Sequence, residues 1–377
     1  MEFIKKKRLL KSMASKYPAI MVVGTRGANK ERLVREVFPN KSFIDLSNKS
    51  VYNIANQSPL TFLLAFPDGA IINDIALLPS MVKAVRHYVE RSTGENGKWV
   101  IISTPDILDI FKDDVSTINN NGLGLLRLSG FSIDELDDEH IPTSNPFQVM
   151  LKGQKPDILA NQLTIEEYLN EIIDKDVCRF INISNKEAFK NFVKACAPYS
   201  GMPMSMNAIA NKANTTAPTA KSWLTIMEHV GLIRQINDGE NARSTRLFFT
   251  DTGLLCHLLG IEKMEQIILE DHKESITRTF AFNELVRGRD NKQQRHSINV
   301  GRKCDFTADW RQHYTIMIEP NIEVTNNTIE RIKEIKSIEA KPLILYLGET
   351  TYTNAGIDCI SFRDWEKLAE GIDYASE

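Results

Sequence analysis

No run of this chain approaches the roughly 18 consecutive apolar residues that a spanning helix needs, so helical membrane passage is excluded. No two cysteines stand at C-x-x-C spacing either. Cys178, Cys196, Cys256, Cys304 and Cys359 are odd in number and widely separated, which excludes a zinc or disulfide framework and reads as reduced thiols in a cytoplasmic protein. Charge of one sign is also missing. A formal net charge of −3 gives no global nucleic-acid signature, so any such contact must come from a local patch. The N-terminus carries Lys5, Lys6, Lys7 and Arg8 but no apolar stretch behind them, and is expected to be a solvated helix face rather than a secretory signal. What the chain does have is 377 residues, 42% of them hydrophobic, enough for cores in about two to three domains.

A further absence lies inside a motif. Gly24-Thr-Arg-Gly-Ala-Asn29-Lys30-Glu31 follows the apolar run Ala19 to Val23 and precedes Leu33, Val34 and Val37 at helical spacing, so strand, loop and helix come in the order of a phosphate-binding loop. That loop needs a second Gly for the backbone to wrap phosphates, a Lys for the β/γ oxygens and a hydroxyl for Mg²⁺. Gly24 and Lys30 are present. Asn29 replaces the second Gly and tolerates positive φ better than most residues, while Glu31 replaces the hydroxyl with a carboxylate. The plain alternative is an ordinary strand–turn–helix connection. Two more apolar runs follow: Ala70-Ile-Ile ends in Asn73-Asp74, and Trp99 to Ile102 ends in Ser103-Thr104. A Walker-B strand ends in an acid that holds Mg²⁺, commonly followed by a Glu that polarises water. Asn73 lacks the charge, which leaves Asp74 as the candidate catalytic carboxylate and Ser103 as a candidate γ-phosphate sensor.

In order and spacing these pieces resemble the AAA+ family of bacterial and archaeal ATP-binding proteins that carry a C-terminal nuclease-like domain of unknown function. Gly24, Arg26 and Lys30 match its first motif, Ile75 and Pro79 its second, and Ser103 falls in its third. The resemblance assigns Gly24, Arg26, Gly27, Asn29, Lys30 and Ser103 to the nucleotide site, with ATP or ADP and Mg²⁺ as cofactors. It departs at Asn29, Glu31, Asn73 and the segment Asn119 to Gly124, where the family has an arginine finger and this chain has only the displaced Arg127. A finger is worth orders of magnitude in phosphoryl transfer. The resemblance thus implies the fold and argues against the activity.

From Ser132 to Asn161 the composition turns acidic and Pro-rich, which reads as the exit from a first domain. Thr164 with Glu167 then forms a capping box before Tyr168, Leu169, Ile172 and Ile173, and the segment through Asp176 and Arg179 resembles the same family. Met206 to Ala210 predicts a short helix and Asn214-Thr-Thr216 a turn. Ala220, Trp223, Leu224 and Met227 predict a second helix. Leu232 to Ile236, a polar tip from Asn237 to Arg246, and Leu247-Phe-Phe complete a winged-helix pattern. The match Trp223-Leu-x-x-Met-Glu228-x-x-Gly231-Leu-Ile, with Asp251-Thr-Gly-Leu254 and Leu258-Leu-Gly260-Ile, resembles the family closely. Such a module puts its second helix in the major groove and its wing on the backbone. Lys212, Lys221, Arg243 and Arg246 are the candidates for phosphate, Thr219 and Ser222 for bases; a protein partner is the alternative, since Glu228, Asp238 and Glu240 dilute the patch.

The last third reads as a small α/β domain. A helix over Thr277 to Val286 carries Glu284, and strands are expected at Ser297 to Val300, Cys304 to Ala308 and Tyr314 to Ile318. The resemblance extends to PD-(D/E)-x-K nucleases, with Glu284 and Asp305 matching two metal-binding acids. Met317 and Glu319 stand where that family has its third acid and Lys. The expected architecture is an α/β chain of three parts: a P-loop AAA+ parallel-sheet domain over 1–160, a helical and winged-helix domain over 161–262, and a nuclease-like domain over 263–377.

Overall fold

The computed structural model describes residues 1–91, 95–104, 122–181, 186–238, 241–269, 271–294, 296–310, 312–335 and 340–368. The chain divides into two compact units: Met1–Ser129 with His229–Gly231, and Gly130–Glu228 with Leu232–Glu377.

The first unit is built on strands β1 (Ala19–Gly24), β2 (Ser42–Asp45), β3 (Ala70–Asn73), β4 (Trp99–Ser103) and β5 (Leu123–Leu128). All neighbours pair in parallel, in the order β2-β3-β4-β1-β5. A parallel sheet is covered by helices on both faces, which is why the strands read as unbroken apolar runs. Helices α1 (Ile4–Ala14), α2 (Lys30–Val37), α3 (Lys49–Gln57), α4 (Pro59–Leu64) and α5 (Pro79–Arg91) alternate with the strands. On one face Met21, Val23, Ile72, Trp99 and Ile101 pack with Met81 and Val85 of α5. The expected strands at 19–23, 70–72 and 99–102 are present. β5 was not anticipated, because Gly124 and Arg127 interrupt its apolar run. Gly124 is there for space: a Cβ would come within 2.6 Å of the Tyr17 ring.

The second unit begins at Gly130, so the acidic, Pro-rich segment belongs to it rather than to the sheet before it. That segment folds as three short helices, α6 (Ile133–Asp138), α7 (Pro146–Lys152) and α8 (Pro156–Leu159). Ser132 and Glu135 form a capping box on α6, and Thr164 and Glu167 form the expected one on α9 (Ile165–Glu171). Next come α10 (Lys186–Cys196), α11 (Met206–Lys212), α12 (Ala217–His229), the hairpin β6 (Ile233–Asp238) and β7 (Asn241–Phe249), α13 (Thr252–Leu259) and α14 (Met264–Leu269). The expected order of two helices and a hairpin is therefore met. The 19-residue α15 (Lys273–Asn291) runs longer than the expected 277–286.

Strands β8 (Ile298–Val300), β9 (Phe306–Asp309), β10 (His313–Glu319), β11 (Lys341–Tyr346), β12 (Tyr352–Asn354) and β13 (Ile357–Ser361) follow, with α16 (Asn326–Ile335) and α17 (Trp365–Leu368). They join the hairpin in one eight-stranded sheet, β12-β13-β11-β10-β9-β8-β6-β7. The link between hairpin and C-terminal strands is the parallel pairing of Asp238 with Val300. Met317, Ile332, Ile344 and Cys359 form a core on one side of this sheet. The region read as a winged helix and the region read as nuclease-like thus share one unit and one sheet.

Candidate functional site

The loop after β1 owes its first glycine to the sheet. Gly24 pairs with Leu128 of β5, and a Cβ on it would stand 2.2 Å from the Leu128 carbonyl oxygen. Gly27 (φ 76°) and Asn29 (φ 53°) then turn the chain through left-handed backbone, and the Ala28 N–H donates to the Thr25 carbonyl at 3.3 Å. Asn29 occupies the position where the motif calls for Gly because Asn is among the residues that tolerate this conformation. Its side chain makes no cap to α2, and its Nδ2 is buried without a hydrogen-bond partner. The Lys30 ammonium folds back over the loop, donating to the Gly24 carbonyl (2.7 Å) and the Thr25 carbonyl (2.9 Å). Ser103, 1% exposed, ends β4 opposite Val23 and has a buried Oγ without a partner. Arg26 is half-buried on the loop.

The groups that would hold a metal are arranged differently. Glu31 does not point into the loop: its carboxylate accepts from Arg35 Nε at 2.8 Å on the outer face of α2, and both side chains are about half exposed. Arg35 also lies over the Phe43 ring at 3.6 Å, which fixes the pair outward. Asn73, at the end of β3, directs Nδ2 toward Asp45 Oδ1 at 3.5 Å, while Asp45 also accepts from the Ser47 N–H and hydroxyl. Asp45 is the strand-end carboxylate of this edge, and sequence reading passed over it; its signal was the short apolar alternation of Phe43 and Ile44 before a polar turn. Asp74 adopts a left-handed conformation (φ 55°) and its side chain makes no cap hydrogen bond. The segment at Asn119–Asn121, where the arginine finger was sought, lies outside the described residues, and Arg127 sits within β5 beside Val23. The loop side chains fit an anion: Lys30 supplies charge, and Asn29 Nδ2 is an unused donor. Toward Mg²⁺ the same edge has neither a hydroxyl after Lys30 nor a charged group at position 73, and its carboxylates are those of Asp45 and Asp74. Among the described residues no cluster of three His, Cys, Asp or Glu side chains is spaced to hold a metal.

In the second unit the candidate nucleic-acid residues separate. Lys221 and Ser222 are exposed on α12. Thr219 shares a hydrogen bond with Thr216 Oγ1 (2.9 Å) in the N-terminal cap of that helix. Arg246 on β7 donates to the Gly201 carbonyl at 3.4 Å, and the side chain of Arg243 lies outside the described residues. Lys212 lines a separate groove with Lys194 and His272. The Glu228 carboxylate accepts from the Gln235 N–H (3.0 Å) and side-chain amide (2.8 Å), neutral donors that leave its charge in place. Trp223 is half-buried, edge-on to Phe189 (5.5 Å) and Phe192 (5.4 Å).

The two acids read as metal ligands have separate protein partners. Glu284 is 0% exposed and accepts from the Ile133 N–H (3.0 Å), Gln154 Nε2 (2.7 Å) and Arg287 Nη1 (2.8 Å). Burial pushes its carboxyl above the usual range, while Arg287 and the other donors pull it back. Asp305 is bound by Arg278 Nε and accepts from the Ile318 N–H at 2.7 Å. Glu319, also buried, accepts from Thr325 and Thr328 hydroxyls at 2.7 and 2.8 Å, and Met317 is in the core. The three carboxylates share no donor.

The parallel order β2-β3-β4-β1-β5, with a turn into a helix directly after β1, decides the class of the first unit. It is a P-loop α/β fold of the AAA+ kind. Comparison with known proteins adds a family described as a domain of unknown function (DUF8612), which matches residues 148–265. No curated protein matches the chain. Among solved structures it is similar to the Walker-type ATPase PABY2304 of Pyrococcus abyssi, at 11% identity and a TM-score of 0.38, over 68% of this chain and 95% of that one. It is also similar to the Aeropyrum pernix ORC2 protein in its ADPNP–ADP complexes (13% identity, 70% and 91% covered, TM-score 0.37). A third is the Thermotoga maritima RuvB Holliday junction branch migration motor (12% identity, 65% and 90% covered, TM-score 0.32). With every TM-score below 0.5, the class rests on the chain's own sheet order.

Proposed function

We propose that this chain is an AAA+-type protein whose nucleotide site has lost its metal chemistry, and that it acts as a non-catalytic regulatory or scaffold protein binding DNA or a protein partner. The observation that carries this reading is the outward turn of Glu31 onto Arg35 together with the neutral Asn73 at the strand end, which leaves the loop with the cations Arg26 and Lys30 but without the hydroxyl and the strand-end acid at those two positions. An anion on the loop would meet Lys30 and Asn29, and Mg²⁺ would meet no hydroxyl. Phosphoryl transfer relies on a metal bridging the β and γ oxygens, so turnover at this site is expected to be at background. Steady-state ATP hydrolysis with Mg²⁺ is the test. Turnover well above background that disappears in Lys30→Ala overturns the reading.

The partner-binding face is assigned to α12 and the hairpin β6–β7. Lys221, Arg243 and Arg246 are the phosphate contacts and Ser222 a base contact, with double-stranded DNA the partner this arrangement suits. Support comes from the exposure of Lys221 and Ser222 on one helix. Anisotropy of a labelled duplex at two salt concentrations should show Lys221→Ala with Arg246→Ala weakening binding alike across sequences, each lost cation lowering the salt slope by roughly one. Binding indifferent to the pair, or none at low salt, assigns the face to a protein partner. The nuclease-like reading of the C-terminal segment is kept as a scaffold, since Glu284 and Asp305 have separate partners. A slow ATPase using Lys30 and Asp74 is the alternative reading; the Asp74 side chain makes no cap hydrogen bond to the helical turn that follows it.

A further inference from the structure

A groove of about 470 Å³ opens in the second unit where the C-terminal part of α10, the end of α11, the end of α13 and the start of α15 converge. That volume lies in the range of small-ligand sites, roughly 300–1,000 Å³. Among the described residues its charge is one-sided. Lys194, Lys212 and His272 line it with the amides of Asn191 and Asn214, and no described carboxylate lines it. Lys194 and Lys212 have no ion-pair partner among the described residues, although elsewhere in this unit lysines such as Lys190 and Lys186 are paired with acids. The floor is apolar, formed by buried Leu258 and Ala195. Asp271 and Glu274 line an adjoining pocket that shares Pro198 and His272 with the groove, and Glu274 is held by Arg278 at 3.3 Å.

We propose that this groove is a binding site for a phosphate monoester with an apolar body, independent of the loop after β1 and of the α12 face. The ammonium groups of Lys194 and Lys212 and the His272 imidazole come from three different elements, which suits the tetrahedral oxygens of a phosphate. A planar carboxylate is better met by the fork of an Arg, and none lines the groove among the described residues. Asn191 and Asn214 can donate to remaining oxygens, and the Leu258 floor takes the apolar body. Lys212 thereby serves this site rather than a duplex. A phosphate monoester occurs on small metabolites and at the 5′ end of a nucleic acid, and the groove's chemistry is the same for both.

The probes are phenyl phosphate, inorganic phosphate and a 5′-phosphorylated tetranucleotide, titrated calorimetrically without divalent metal into the full chain. Saturable one-to-one binding of phenyl phosphate is expected, several-fold tighter than inorganic phosphate because of the apolar floor. Lys194→Ala with Lys212→Ala should weaken it at least tenfold, whereas Lys30→Ala and Lys221→Ala should leave it unchanged. Both replaced lysines are exposed, so the double variant is expected to fold, and its circular dichroism melt verifies that. If the tetranucleotide displaces phenyl phosphate tenfold more tightly, the source is a nucleic-acid end; if not, it is a small metabolite. Absence of saturable binding by all three probes, binding unaltered in the folded double variant, or binding lost in Lys30→Ala each overturns the site. The last outcome would move the anion to the loop and leave the non-catalytic reading of that loop to be judged on turnover alone.

Discussion

Replacing Arg287 with Met is expected to destabilise the second unit strongly at neutral pH and much less in acid. Arg287 and Glu284 are both essentially fully buried, and their bond at 2.8 Å is joined by Arg287 contacts to Gln154 Oε1 and to the Thr250 carbonyl at 3.2 Å. Removing the cation leaves a carboxylate in the core with two neutral donors. Breaking a buried pair from one side costs about 3–5 kcal/mol. The alternative for Glu284 is to take up a proton, and that sets a pH-dependent ceiling. With an unfolded value of about 4.3, holding the neutral form at pH 7 costs about 4 kcal/mol, and at pH 5 about 1 kcal/mol. The sign follows from a folded-state value above the unfolded one. Stability associated with the neutral carboxyl is complete below the unfolded value and is lost as pH rises through the folded one. Because the chain has two units, global unfolding is a poor readout; amide exchange on peptides of 273–291 at pH 5 and pH 7 isolates the effect. A loss below about 1 kcal/mol at pH 7, or an equal loss at both pH values, would refute the reasoning. Glu284→Gln should also destabilise, since it strands Arg287, whereas a metal-ligand role would let the neutral amide relieve charge at no cost.

Gly24→Ala should loosen β1 from β5, because the new Cβ would stand 2.2 Å from the Leu128 carbonyl oxygen; overpacking of this kind costs about 1–3 kcal/mol. Exchange protection over 19–24 and 123–128 should fall together, and unchanged protection would mean the strands can part freely. Glu366→Gln should make the stability of the second unit less pH-dependent. Burial, then the Glu135 carboxylate and, more weakly, Glu284 push the Glu366 carboxyl up against the hydrogen bonds of Asn291 and Ser132. Stability from that neutral group is present in acid and fades as pH rises through its folded value, so exchange over 362–368 should lose part of its slope between pH 5 and 8 in the variant; an identical slope would sink this assignment.

Much of the first unit was legible because parallel strands are unbroken apolar runs and the loop keeps Gly24 and Lys30. The outward turn of Glu31 was legible too, had its i+4 neighbour Arg35 been weighed, since such pairs meet on a helix surface. β5 was hidden because Gly124, required by Tyr17, broke its pattern. What no local pattern carries is pairing across distance. Glu284 finds Ile133 and Gln154, 151 and 130 positions away, and an acid on an apolar helix face looks the same from sequence whether it awaits a metal or an Arg. The one pairing of Asp238 with Val300 merges hairpin and C-terminal strands into one sheet, and it too leaves no mark in either segment. Lys194 and His272 were unremarked for the same reason, because the helices that bring them to Lys212 are separated along the chain.

The central claim is that the loop after β1 keeps the Lys30 ammonium, folded over its Gly24 and Thr25 carbonyls, but has lost the groups that recruit a metal. Titrating ATP into the full chain with and without Mg²⁺, in a Lys194→Ala, Lys212→Ala and Lys221→Ala background that silences the groove and the α12 face, tests it most directly. The account predicts weak binding of equal affinity in both conditions, reduced in Lys30→Ala. A tenfold or greater tightening by Mg²⁺ that depends on Asp45 or Asp74 would contradict it.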